Sequence, residues 1–104
     1  MKFRQLPRTD LTLSEVGFGV WTVATNWWGK IEDADKAALL ENAVEEGINF
    51  FDTAEMYSIP PMAETQGSTE KIIGTWFKKS GNREKVILAS KVAGRGRMNW
   101  IRSE

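Results

Sequence analysis

The residues best suited to chemistry in this chain are a carboxylate, a phenol and an ammonium group, supplied by Asp52, Tyr57 and Lys91. A phenol donates a proton near neutral pH more readily when an ammonium group lies close to it, and a carboxylate can keep that ammonium group charged and oriented. The three side chains could therefore form a proton-donating assembly with Tyr57 as the acid. A structural ion pair between Asp52 and Lys91, beside an unrelated loop tyrosine, accounts for the same residues equally well.

Asp52 and Lys91 come near the ends of two apolar segments that are rich in strand-forming residues and too short for helices. Alternation along a strand puts Asp52 on the same side as Ile48 and Phe50. It puts Lys91 on the side of Ile87. Functional groups gather at the carboxyl ends of parallel strands, so the two charges approach each other if these sides face the interior of the fold. Strands are predicted at 16–21, 48–52 and 85–92.

Two amphipathic helices separate the predicted strands. The apolar residues recur with a helical period over 33–46 and again over 67–79. Strands that alternate with single helices pair in parallel with right-handed crossovers. A hairpin is predicted at 1–14 and a tail without periodicity at 93–104. The pattern indicates an α/β fold, and it does not distinguish a doubly wound sheet from part of a barrel.

Composition excludes several classes of function. The 104 residues include 14 basic and 14 acidic side chains, so no net charge attracts nucleic acid or an anionic membrane. The chain has no cysteine and no histidine, which removes the usual ligands of zinc, copper and iron, and no metal site is predicted. No apolar run is long enough for a signal peptide or a membrane span, so a cytoplasmic protein is expected. The short basic segment 94–97 is interpreted as a solvated linker rather than an RNA contact.

Four motifs in order resemble one known family. Residues 47–57, with the sequence GINFFDTAEMY, resemble the signature of the aldo/keto reductases. Residues 67–74, GSTEKIIG, resemble the family's Gly-x-x-Glu-x-x-x-Gly helix start, and 89–92 resemble its strand bearing the catalytic lysine. Residues 13–21 resemble its first strand after the hairpin. The loop 57–67 is similar to that of the Tas-like branch of the family.

The resemblance implies a fold and a set of site residues. The fold is the N-terminal part, about three β/α repeats, of a (β/α)8 TIM barrel, with the hairpin closing its bottom. Asp52, Tyr57 and Lys91 then correspond to three members of the catalytic tetrad, with Tyr57 as the general acid. Gly19, Val20, Trp21 and Asp52 would lie beside the nicotinamide-ribose half of NADPH. The family usually has threonine at the position of Val20, so only a main-chain contact is expected there.

The implied function is NADPH-dependent reduction of a small aldehyde or ketone, or the reverse oxidation, by direct hydride transfer. The family's fourth catalytic residue, a histidine, and the residues that bind the 2′-phosphate are expected beyond residue 104. Two other readings stay open: a cofactor-binding regulatory module like the potassium-channel β subunits, or a chain that has no function by itself. Trp27 and Trp28 are either an aromatic wall facing the substrate or packing beneath a loop. The sequence predicts neither the carbonyl substrate nor the oligomeric state.

Overall fold

A computed structural model of the chain, which describes residues 1–24, 31–57, 60–96 and 98–101, begins with the predicted hairpin. Strand β1 (Phe3–Gln5) pairs antiparallel with β2 (Thr12–Ser14). Between them the chain reverses at Arg8, whose φ of 65° lies in the left-handed region. The Thr9 hydroxyl donates a hydrogen bond of 2.8 Å to the Leu6 carbonyl and so closes the turn from its own side chain.

Three short parallel strands form the centre of the fold, as predicted. They are β3 (Gly17–Gly19), β4 (Phe50–Asp52) and β5 (Ile87–Ala89), in the order β3-β4-β5. Both pairings are parallel, and the register puts Asp52 between Gly19 on one side and Ala89 on the other. The carboxyl ends of the three strands therefore meet at one edge of the sheet.

The first predicted strand, 16–21, is too long at its carboxyl end, because Val20–Ala24 form a 3₁₀ helix. Val20 and Val23 are both buried in the core. A 3₁₀ turn places residues i and i+3 on one side, whereas a strand would place them on opposite sides. The third strand was predicted at 85–92 and is shorter in the structure. A 3₁₀ helix, Asn82–Lys85, precedes it, and the ladder ends at Ala89.

Both predicted helices are present, as α1 (Asp33–Glu45) and α2 (Ser68–Ser80). Gly47, with φ of 91°, follows α1, and its N–H donates to the Val44 carbonyl while the Ile48 N–H donates to the Ala43 carbonyl. This pair of bonds is a Schellman motif, which satisfies the last carbonyls and turns the chain directly into β4. Neither helix in the described part of the chain is long and apolar enough to cross a membrane.

The two helices cover one face of the parallel sheet. Phe51 is fully buried beneath them and lies parallel to the Trp76 ring, with 5.9 Å between the ring centroids. Phe18 and Leu88, the neighbours of Phe51 in the ladder, pack against the same core. The buried residues of this core come from β4, from both α-helices, from the 3₁₀ helix after β3 and from the position before β5. They are Val20, Val23, Leu40, Ala43, Phe51, Ile73, Trp76 and Val86.

The opposite face of the sheet carries Phe50, Ile87 and Asp52. Phe50 and Ile87 are only half-buried, since neither helix packs on this side. Ile48 was predicted to share this face, and that prediction is wrong. Ile48 packs against the helix-covered core instead, because regular alternation begins only at Phe50, where the ladder starts.

Asn49 joins the hairpin to the start of β4. Its side-chain oxygen accepts a hydrogen bond of 2.7 Å from the Ser14 N–H, and its amide nitrogen donates one of 2.9 Å to the Thr12 carbonyl. The Asn49 N–H also donates to the Ser14 hydroxyl, at 3.1 Å. The hairpin is therefore fixed at the amino ends of the strands, away from Asp52.

Glu41 links α1 to α2 and to the turn that follows α2. Its carboxylate accepts a hydrogen bond of 2.7 Å from the Trp76 indole N–H and longer ones, of 3.2 and 3.3 Å, from the Asn82 amide. Trp76 and Asn82 are both buried, so each donor needs such a partner.

A protein comprising only residues 1–104 should self-associate. Within the described ranges the outer edges of β3 and β5 have no strand beside them, and unpaired strand edges are templates for association. We expect oligomers and a broad thermal transition, measured by sedimentation and circular dichroism. Ile87→Lys, which puts a charge on the uncovered face, should reduce association, whereas Thr75→Lys on exposed α2 should not. A monomer with a sharp cooperative melt would contradict this expectation.

Candidate active site

The ends of β4 and β5 bring Asp52 and Lys91 together. The Lys91 Nζ lies 3.1 Å from one carboxylate oxygen of Asp52 and 3.0 Å from the other, so the ion pair is bidentate. The same nitrogen donates a hydrogen bond of 2.7 Å to the Thr53 carbonyl. About half of each side chain is exposed, 52% for Lys91 and 46% for Asp52. The pair faces the side of the sheet that the helices leave open.

The surroundings of Lys91 raise its pKa. Burial by itself lowers this pKa, but the hydrogen bond and the negative charge of Asp52 oppose it, with smaller contributions of the same sign from Tyr57. The net result is a Lys91 pKa above its ordinary value. The ammonium form is therefore complete throughout the neutral range and is lost only as the pH rises through the raised pKa.

Tyr57 turns back over Lys91. The Tyr57 N–H donates a hydrogen bond of 3.2 Å to the Ala54 carbonyl and closes a turn. This turn brings the loop after β4 back across the strand ends. The Lys91 Nζ then lies 5.3 Å from the centroid of the Tyr57 ring, within cation–π range. The structure thus brings Asp52, Tyr57 and Lys91 into one cluster, with the ammonium group over the face of the phenol ring. Spacing alone did not predict this orientation.

Thr53 supports the cluster from behind, and the sequence reasoning missed it. Its carbonyl accepts a hydrogen bond from the Lys91 ammonium group. Its hydroxyl lies 2.8 Å from the hydroxyl of Thr69 in the first turn of α2. Both threonines are fully buried. The Thr53 N–H continues the ladder to the Ala89 carbonyl at 2.8 Å. The only signal in the sequence was a hydroxyl residue directly after Asp52 and another at the start of α2.

A cleft of about 370 Å³ opens beside Tyr57 and Lys91. Its walls are mostly apolar, and among the described residues that line it Lys91 is the one that carries a charge. A cavity of this size and character suits a small organic molecule held beside the two polar groups. Besides Tyr57 and Lys91, the lining residues are Ala54, Met56, Pro61, Val92, Ala93, Gly94 and Met98.

The residues expected beside a cofactor lie next to Asp52. Gly19 is opposite Asp52 in the β3–β4 ladder, and the Trp21 indole covers it, 3.6 Å from where a Cβ on Gly19 would be. Val20 is fully buried in the core, so its side chain faces away from this edge and only its main chain is available there. Gly19 therefore adds no side chain beside Asp52, and the Trp21 indole lies against it. Trp27 and Trp28 lie outside the described residues.

The aldo/keto reductase family model matches residues 15–104. The chain belongs to the aldo/keto reductase family. It is therefore part of a family of oxidoreductases. Protein Tas of Escherichia coli is 44% identical over 99 residues, which are 95% of this chain. The 6-dehydroglucose reductase of Novosphingobium aromaticivorans is 37% identical over 90 residues, or 86% of this chain.

Solved aldo/keto reductases share the fold. The holo form of aldo-keto reductase AKR11C1 from Bacillus halodurans superposes with a TM-score of 0.70 at 36% identity, over 91% of this chain. The chain spans 27% of that protein, and 28% of the length of Tas and of the 6-dehydroglucose reductase. Its hairpin, three parallel strands and two helices are thus the N-terminal part of a (β/α)8 barrel.

Proposed function

We propose that this chain provides the proton-donating part of an NADPH-dependent reductase of small aldehydes and ketones. The observation that carries the proposal is the position of the Lys91 ammonium group, bound by Asp52 and lying over the Tyr57 ring at the carboxyl ends of the strands. In barrels of this kind the active site lies at that end. A structural ion pair alone would not need a phenol and an open cleft beside it.

Tyr57 is the general acid in this proposal. NADPH, when bound, supplies the hydride that reaches the carbonyl carbon of the substrate. The Tyr57 hydroxyl gives its proton to the carbonyl oxygen, which becomes the hydroxyl of the alcohol, and the phenolate left behind recovers a proton from solvent. Lys91 stabilises that phenolate by its positive charge, and Asp52 with the Thr53 carbonyl keeps the ammonium group in place.

The proposed cofactor position is the edge formed by Gly19, Trp21 and Asp52, with the main chain of Val20. Gly19 presents no side chain next to Asp52, and the Trp21 indole lies against Gly19. The nicotinamide-ribose half would lie against this edge, and the carbonyl substrate would enter from the cleft beside Tyr57. The name of the Novosphingobium relative, a reductase, supports reduction as the reaction class.

Oxidation of NADPH by the full-length protein that contains this chain tests the proposal. We expect turnover with at least one small aldehyde or ketone in a panel that spans alkyl, aromatic and sugar carbonyls, and little turnover without a carbonyl compound. Binding of NADPH is measured in parallel by quenching of tryptophan fluorescence. Tight binding with no turnover on any substrate would favour the regulatory module, and absence of both binding and turnover would refute the proposed function.

A further inference from the structure

Glu55 holds the main chain on the far side of Lys91. The Glu55 N–H donates a hydrogen bond of 3.0 Å to the Lys91 carbonyl. Its carboxylate Oε2 accepts one of 2.8 Å from the Ala93 N–H. One residue therefore contacts the chain both at Lys91 and two residues beyond it.

These bonds extend the connection between β4 and β5 past the end of the ladder. The Thr53 N–H donates a hydrogen bond to the Ala89 carbonyl. Two residues further along both segments, the Glu55 N–H donates one to the Lys91 carbonyl, as the parallel pattern requires. In regular parallel pairing the next acceptor, for the Ala93 N–H, would be the main-chain carbonyl of Glu55. The Glu55 carboxylate takes that position instead. The segment after β5 is thus attached to the loop after β4 by a side chain.

We propose that Glu55 is a positioning residue, whose carboxylate anchors the main chain at Ala93 so that the Lys91 ammonium group stays between Asp52 and Tyr57. The inference rests on the proposed function, since it assigns Glu55 to the proton-donating assembly. The anchored segment has a second role in the same site, because Lys91, Val92 and Ala93 form one wall of the cleft. Release of Ala93 would loosen both the ammonium group and that wall.

Glu55 acts on Lys91 through the main-chain bond at Ala93 and not through a contact with the ammonium group. In the part of the chain that the structure describes, the groups that face Lys91 are Asp52 from β4 and Tyr57 from the loop after it, and besides burial these two shift its pKa. The ammonium group is bound by Asp52 and the Thr53 carbonyl, not by Glu55. A neutral acceptor of the same length should therefore replace the Glu55 carboxylate, whereas a shorter carboxylate should not reach Ala93.

The test compares Glu55→Gln, Glu55→Ala and Glu55→Asp in the full-length protein, with Glu64→Ala as the matched control on an exposed loop position. We expect Glu55→Ala and Glu55→Asp to lower kcat by about 10-fold, within the loss of up to about 10²-fold that small misplacements cause. The KM for NADPH should stay unchanged, because Gly19 and Trp21 are not displaced. Glu55→Gln and Glu64→Ala should resemble wild type.

Amide hydrogen exchange at Ala93, measured by NMR, gives a readout that does not depend on activity. Protection of this amide should be lost in Glu55→Ala and kept in Glu55→Gln. Wild-type protection in Glu55→Ala, or a Glu55→Gln variant as slow as Glu55→Ala, would overturn the proposed anchor. If the wild-type protein reduces no carbonyl compound, the exchange result still decides whether the anchor exists, while the proposed function fails separately.

Discussion

Tyr57→Phe in the full-length protein should lower turnover of a small aldehyde by about 10²-fold or more, the lower end of what a general acid contributes. Phenylalanine keeps the ring that lies over the Lys91 Nζ and the wall of the cleft, and it removes only the hydroxyl. NADPH affinity should change little, because the phenol faces the reacting carbonyl rather than the edge at Gly19. Steady-state kinetics at saturating NADPH measure the turnover, and a titration of NADPH followed by tryptophan fluorescence measures the affinity.

Met62→Leu is the control for this variant, since Met62 lies on the same connection between β4 and α2 but is exposed and outside the cleft. It should turn over at the wild-type rate. Wild-type turnover in Tyr57→Phe would remove Tyr57 from the mechanism and would favour the reading of Asp52 and Lys91 as a structural pair.

Lys91→Met should slow reduction at neutral pH by about 10-fold or more, which corresponds to about 1.4 kcal/mol of transition-state stabilisation. The side chain keeps a similar length, but no positive charge remains to stabilise the phenolate of Tyr57. Asp52→Asn should act in the same direction more weakly, because Asp52 acts through Lys91. Both variants are measured against wild type over a range of pH.

The pH dependence has a definite sign. The pKa of Lys91 is raised, so in the wild-type protein the ammonium group is present through the neutral range and is lost only at alkaline pH. Lys91→Met has no ammonium group at any pH, so its rate should be lower throughout the neutral range. The fall in rate that accompanies deprotonation of Lys91 should be absent from its pH–rate profile. A Lys91→Met profile that superimposes on that of wild type would show that the lysine is structural.

The sequence was sufficient for the parallel sheet and both helices. The helical period of the apolar residues located α1 and α2, and the glycine after α1 marked its end. The ends of the strands were less predictable. Val20 and Val23 are compatible with a strand by composition, and only the core between the helices and the sheet shows that both must point the same way.

The cluster of Asp52 and Lys91 was also predictable, because residues at the carboxyl ends of neighbouring parallel strands must lie close together. The supporting contacts were not predictable. Thr53 contacts Lys91 through its main-chain carbonyl, and Glu55 accepts a hydrogen bond from the main-chain N–H of Ala93. Every residue type other than proline has both main-chain groups, so the residue types do not indicate such contacts. The placement of the Tyr57 ring over Lys91 depends on the path of a loop, which no periodic pattern describes.

A double-mutant cycle between Tyr57 and Lys91 tests the central claim most directly, namely that the two act as one proton-donating assembly. The rate of the hydride-transfer step is measured in single turnovers for wild type, Tyr57→Phe, Lys91→Met and the double variant. If Lys91 acts by stabilising the phenolate of Tyr57, the double variant should be about as slow as Tyr57→Phe alone. Losses that add in free energy would show that Lys91 contributes independently of Tyr57, and would contradict the account.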